Sequence, residues 1–314
     1  MNSKKIFICI LILNFSLVLL IIDSNALNEP SITQYNGNLG HVDSLDLTVI
    51  CDNYPNGQLI DEWGVSILIE TQDTTALLDT GQSYNGLRDN SLTLNKDLSE
   101  VDFVVISHEH WDHVGGLSYI EEVNPGVTVY IPEHIDSQTF NTINQSDLNV
   151  VNINDTTIIR PGFAIIGELY GPPYEQALIV NVKDVGLIGI MGCSHPGVHN
   201  LIGKAIDDLE INSYMVIGGF HMASASEQAI QATIDGLLEC NVQRIFPIHC
   251  SGDFFREYML DNYPQQYGEA NVGFKMTISV FTINWILYFI FLPALAVISI
   301  AFIGWFIMKR FRKS

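Results

Sequence analysis

The chain has 314 residues and a formal net charge of −21, from 35 acidic and 14 basic residues. Lys4, Lys5, Lys309, Arg310, Arg312 and Lys313 sit at its two ends, so the middle is more acidic still, and such a surface repels a nucleic-acid backbone. Acidity of this kind favours solubility and suits a saline medium, but it names no substrate.

Residues 1–22 carry Lys4 and Lys5 ahead of an apolar run that begins at Ile6, and Ser24-Asn25-Ala26 follows. This three-part layout reads as a secretory signal peptide over 1–26, cleaved after Ala26, with an uncleaved anchor as the alternative. Residues 27–275 are enough for one large domain. Residues 45–51, 64–70 and 75–78 read as strands, the third ending at Asp79-Thr80-Gly81. Asp79 is a surface turn residue, or it orients a histidine ligand through the free N–H of the imidazole. A short helix over 91–98 and a buried strand over 101–107 follow.

That strand leads into Ser107-His108-Glu109-His110-Trp111-Asp112-His113-Val114-Gly115-Gly116, the densest functional signal in the chain. If the strand runs on to His108, alternation puts His108 and His110 on the same side. Asp112 and His113 bring two more ligand heads back after a turn. Imidazole nitrogen and carboxylate oxygen suit a divalent ion such as Zn²⁺. A catalytic ion keeps a position open for water, so four ligands in one stretch predict two adjacent metals. The plain alternative is a polar turn that happens to be rich in histidine.

A helix starts at 115–120 and ends near Asn124-Pro125-Gly126, followed by a strand over 127–131. His134 falls in a loop and reads as solvated. Residues 135–160 are rich in Asn, Asp and Thr around one strand at 148–153, as in a lid or a variable surface segment. Asn144-Gln145-Ser146 and Asn154-Asp155-Thr156 in this segment are glycosylation sequons of a kind that arises often by chance. Strands over 163–169, 176–182 and 186–192 come next, the last ending in Cys193-Ser194-His195-Pro196-Gly197. His195 is a better ligand candidate than His199, which falls on a helix over 198–209. A strand at 214–217 ends in Gly218-Gly219-Phe220-His221, a helix over 226–240 follows, and a last strand at 244–248 ends in His249-Cys250. Cys51, Cys193, Cys240 and Cys250 allow three disulfide pairings, while Cys193 and Cys250 also stand beside candidate ligands. The apolar stretch 276–308 contains a spanning helix over 286–308, with Trp285 at one interface and Pro293 inside it. The basic tail 309–314 favours the cytoplasmic side, which leaves the domain extracytoplasmic at a cell membrane.

Asp79, His108, His195, His221 and His249 all stand at or just past a strand end. In a layered α/β domain, strand ends on one edge open into a shared crevice. Leu78-Asp79-Thr80-Gly81-Gln82, the His108-to-Gly116 stretch, Gly192-Cys193-Ser194-His195-Pro196-Gly197, Gly218-Gly219-Phe220-His221 and Pro247-Ile248-His249-Cys250 together resemble the metallo-β-lactamase superfamily. The resemblance spans roughly residues 40–255. It is narrower toward a branch that includes an archaeal dihydropterin–ribofuranosylaminobenzene phosphate synthase. It implies an αββα sandwich with metals at one edge: His108 and His110 on a first ion, Asp112 and His113 on a second, and His195 with His221 or His249 completing the shells. In many hydrolases of this superfamily a carboxylate bridges the metals after the third ligand. Here Cys193-Ser194-His195 stands at that place, and the later ligands stay unassigned.

The implied cofactors are two divalent ions, Zn first, with Mn, Fe or Mg as alternatives. The implied catalytic groups are Asp112, also able to accept a proton, and Asp79 in support. The expected activity is metal-assisted hydrolysis of an ester, lactone, amide or phosphoester in a small-molecule substrate. A group-transfer synthase and a non-catalytic surface protein that binds metal or ligand are the rival readings.

Overall fold

Strands that are apolar on both faces need cover on both sides, and this requirement sets the architecture. A computed structural model describes residues 38–280. The first half runs β1 (Ser44–Cys51), β2 (Ser66–Glu70), β3 (Thr75–Leu78), α1 (Tyr84–Thr93), β4 (Phe103–Val105), α2 (Trp111–Val114), α3 (Leu117–Val123), β5 (Thr128–Pro132), α4 (Ser137–Asn144) and β6 (Asn149–Ile153). The second half runs β7 (Thr157–Arg160), β8 (Phe163–Tyr170), β9 (Tyr174–Val182), β10 (Gly186–Met191), α5 (Val198–Leu209), β11 (Ser213–Gly219), α6 (Glu227–Glu239), β12 (Arg244–Ile248), α7 (Asp253–Asn262) and β13 (Lys275–Ser279).

The strands form two sheets, in the orders β13-β1-β2-β3-β4-β5-β6 and β12-β11-β10-β9-β8-β7. Period-two alternation sorts their side chains. Val49, Ile67, Leu78 and Val105 meet Leu178, Ile188, Ile217 and Ile248 in a central core between the sheets. Ile50, Leu68, Leu77 and Val104 instead pack with Leu87 of α1 and Ile120 of α3. On the other outer face, Ile179, Val216 and Ile245 meet Leu201 of α5, Ile234 of α6 and Phe255 of α7. The result is the expected αββα sandwich.

Strand direction decides what gathers at the functional edge. β3, β4 and β5 are mutually parallel, as are β10, β11 and β12, so within each set the C-terminal ends coincide. β9 runs antiparallel to β10 and therefore starts where β10 finishes. β1 lies two antiparallel steps from β3 and ends at the same edge as β3.

Several expectations need correction. The strand expected over 101–107 stops at Val105, so His108 and His110 lie on the loop into α2 and are not paired by strand alternation. The helix expected over 91–98 is α1, displaced toward the N-terminus because Ser83 caps it by accepting from the Gly86 N–H. Segment 135–160 carries α4, β6 and β7, with α4 capped by Asp136. Elements α2, α4, β7, α7 and β13 went unforeseen. β13 pairs with β1, Leu47 opposite Met276, and carries the sheet to Ser279, past the boundary expected at 275.

The expected signal peptide (1–26), the helix over 286–308 and the tail 309–314 lie outside the described residues. Among the described residues no helix is long and apolar enough to cross a membrane.

Candidate metal centre

The turn after each strand must reverse sharply while aiming one polar side chain at the edge. Asp79, Ser194, His221 and His249 achieve this in the left-handed region, with φ of 54°, 60°, 52° and 50°. Non-glycine residues adopt that conformation rarely, Asp and His more readily than most, and such strain collects at functional sites. Close approach also excludes side chains nearby. A Cβ on Gly192 would fall 2.0 Å from Ser107 Oγ, and one on Gly219 would fall 2.6 Å from Cys250 Sγ.

Four histidines are held by Nδ1, which frees Nε2 for the centre. His113 Nδ1 lies 2.6 Å from Asp79 Oδ2, and His108 Nδ1 lies 2.9 Å from Ser107 Oγ. Ser107 in turn donates from Oγ and from its backbone N–H to the two Asp79 oxygens, both at 2.7 Å. His195 Nδ1 lies 2.8 Å from Glu175 Oε2, and His249 Nδ1 lies 3.2 Å from Asn53 Oδ1. These partners assign the Nδ1–H tautomer to each ring, the arrangement that orients a ligating imidazole.

The freed atoms converge. His108 Nε2 lies 3.1 Å from His110 Nδ1, His249 Nε2 lies 3.3 Å from Asp112 Oδ2, and His113 Nε2 lies 3.6 Å from the same oxygen. Cys193 Sγ lies 3.2 Å from His113 Nε2. With bonds of about 2.0–2.3 Å, two ligands of one tetrahedral ion stand about 3.3–3.6 Å apart, so these separations fit an ion at the centre. An orphaned atom points the same way: His249 Nε2 is buried and makes no hydrogen bond. Asp112, His113, Cys193 and His249 can hold one ion, and His108, Cys193 and His195 another, with His110 beside them.

Burial and mutual charge perturb the whole cluster. Burial raises the Asp112 carboxyl, but the His249 and His113 imidazoles beside it outweigh that and hold it at about 2. Burial pulls His113 down, yet Asp79 takes it up to about 9. Asp79 itself is raised by burial against the pull of His113 and Ser107. Burial, reinforced by His113 and His195, pushes His108 well below its ordinary value.

All the expected residues reach this edge, though in different roles. Asp79 is buried behind His113 and Ser107, which makes it a positioning residue. His221 is exposed; its ring centroid lies 4.4 Å from that of His195, and its backbone N–H donates to Cys250 Sγ. His134, left out of the site, bonds to Glu168 and stacks on Tyr174. His199 packs against Gly236 on α6. All four cysteines among the described residues are free thiols.

Three participants were missed. Glu175, at the start of β9, accepts from the backbone N–H of Cys193, Ser194 and His195 as well as from the His195 ring. Asp52, just past β1, accepts from the His249 N–H, and burial takes its carboxyl up to about 6. Trp63, 44% exposed, sets its ring centroid 5.0 Å from that of His249 and forms part of the rim. The strand-end rule that singled out the histidines also covers Asp52 and, through antiparallel β9, Glu175.

Residues 64–200 match the family model of the metallo-beta-lactamase superfamily. The chain carries a domain of that superfamily. It is 26% identical over 286 residues to the 7,8-dihydropterin-6-methyl-4-(beta-D-ribofuranosyl)-aminobenzene-5'-phosphate synthase of Methanocaldococcus jannaschii, which covers 75% of this chain and 97% of that protein. Among solved structures it is similar to Tm1679, a metal-dependent hydrolase of the beta-lactamase superfamily (TM-score 0.65, 24% identity, 75% of this chain and 99% of that one). It is also similar to the metallo-beta-lactamase fold protein YhfI from Bacillus subtilis (TM-score 0.58, 14% identity, 75% of this chain and 100% of that one). These likenesses agree with the two-sheet architecture.

Proposed function

We propose that this chain is a metal-dependent hydrolase acting on an ester, lactone, amide or phosphoester, with phosphoesters and lactones ranked first by analogy. The observation that carries this reading is the set of converging donors, above all the buried His249 Nε2, which makes no hydrogen bond and faces Asp112 Oδ2 at 3.3 Å. When bound, a divalent ion acidifies water and polarises the bond under attack. The protein's part is to hold that chemistry in place. Asp79 and Ser107 fix His113 and His108; Glu175 fixes His195 and the turn that carries it. Asp112 is a poor resting base at about 2, which suits a ligand that must stay ionised. Trp63, together with Trp111 (57% exposed), offers an apolar rim for the non-reacting part of a substrate.

A group-transfer synthase is the second reading, favoured by the near full-length match to the archaeal enzyme. A panel of phosphoesters, lactones, esters and amides, assayed with and without chelator, separates the readings. Chelator-sensitive hydrolysis lost in His110→Ala supports the hydrolase. Turnover only with a second, acceptor substrate supports the synthase, and ligand binding without turnover supports a non-catalytic surface protein.

From the sequence of the two ends we also propose a membrane anchor, the catalytic domain extracytoplasmic and residues 309–314 cytoplasmic. Protease added to intact cells should then digest the domain, and full protection would contradict the proposal.

A further inference from the structure

Three overlapping groups of donors form the centre, and they share one atom. Asp112, His113, Cys193 and His249 present ligand atoms within 4.8 Å of one another, and so do His108, Cys193 and His195, and Cys193, His221 and Cys250. Only the Cys193 sulfur belongs to all three. Resting on the metal-centre reading above, we propose that the Cys193 thiolate bridges the two ions.

The surroundings of Cys193 fit that task. Its backbone N–H donates 2.8 Å to Glu175 Oε1, and the same carboxylate holds His195, so sulfur and imidazole are set by one rigid buried anchor. His113 Nε2 approaches the sulfur at 3.2 Å on one side. His249, only 1% exposed, adds to the same group an Nε2 that makes no hydrogen bond. Cys250 Sγ donates to Cys193 Sγ at 3.2 Å with no disulfide between them, and accepts from the His221 N–H. We read Cys250 as a buttress behind the bridging sulfur. A thiolate keeps several lone pairs after binding one ion and can therefore serve a second, releasing its single thiol proton to solvent as metal enters. Sulfur also selects among ions: it favours Zn²⁺, Fe²⁺ and Co²⁺ over Mg²⁺ and Mn²⁺, which narrows the cofactor beyond what histidine and aspartate specify.

Co²⁺ titrated into the metal-stripped full-length protein tests this, because thiolate-to-cobalt charge transfer absorbs in the near ultraviolet. For a bridge, the band grows through both the first and the second equivalent. Cys193→Ser abolishes it and weakens both sites by about tenfold or more, with the circular dichroism of the native fold retained. Cys240→Ser, a thiol outside the centre that reaches the His199 carbonyl, keeps the band and both sites. A band complete at one equivalent, or one that survives in Cys193→Ser, overturns the bridge. If Cys193→Ser fails to fold, the wild-type titration decides alone. Two bound Co²⁺ ions without any band would sink the bridge and leave the metal centre standing, whereas no Co²⁺ uptake would overturn both.

Discussion

Glu175 Oε2 accepts from His195 twice, from the backbone N–H and from ring Nδ1, each at 2.8 Å. One carboxylate oxygen thus fixes both the position and the rotation of the imidazole. The other oxygen takes the N–H groups of Cys193 and Ser194 at 2.8 and 2.7 Å. Burial raises this carboxyl, but the His195 and backbone donors outweigh it and hold Glu175 below its ordinary value. Glu175→Gln would turn an NH₂ toward N–H donors and leave buried groups unmatched, at about 1–3 kcal/mol. Thermal unfolding should show a Tm lower by roughly 2–10 °C; an unchanged Tm would mean the 193–195 turn holds itself.

Asp79 reaches the centre only through His113 and Ser107. Asp79→Asn should therefore leave the fold but weaken metal binding by about 10–100-fold, the usual loss when a ligand's supporting partner is removed. Competition with a chelator measures this directly.

The close packing of Gly192 predicts a different failure. An added methyl would displace Ser107 Oγ, which holds Asp79. Gly192→Ala should destabilise by about 1–3 kcal/mol through overpacking, readable as a lower denaturant midpoint. It should also weaken metal binding, which a purely steric effect elsewhere in the core would not do.

Away from the centre, the Glu168 hydrogen bond raises His134 above its ordinary value. A raised folded-state value means this pair's contribution is complete below the ordinary imidazole range and is lost as pH rises through the raised value. NMR titration should find His134 shifted upward, and Glu168→Gln should return it to the ordinary range. No change on substitution would contradict the pairing.

Much of this was legible in the sequence because metal ligands and buried strands leave strong local marks. The His108–His113 stretch and the strand ends before His195, His221 and His249 needed only alternation and punctuation to be found. Glu175 was not legible in the same way, since its position depends on β9 running antiparallel to β10, a long-range fact. β13 was hidden because Met276 and Ile278 merge into the apolar stretch that follows, and only pairing with β1 marks them as an edge strand. The early end of β4 shows the limit of periodicity. His108 and His110 do converge, but through a loop that their tertiary partners hold.

The most direct test of the central claim is elemental analysis of the full-length protein purified without chelator. A binuclear centre should return about two divalent ions per chain, as in two-metal sites, in the softer range of Zn²⁺ or Fe²⁺. Near-zero metal, with no uptake when Zn²⁺, Fe²⁺ or Mn²⁺ is added, would contradict it and leave the converging histidines without a function.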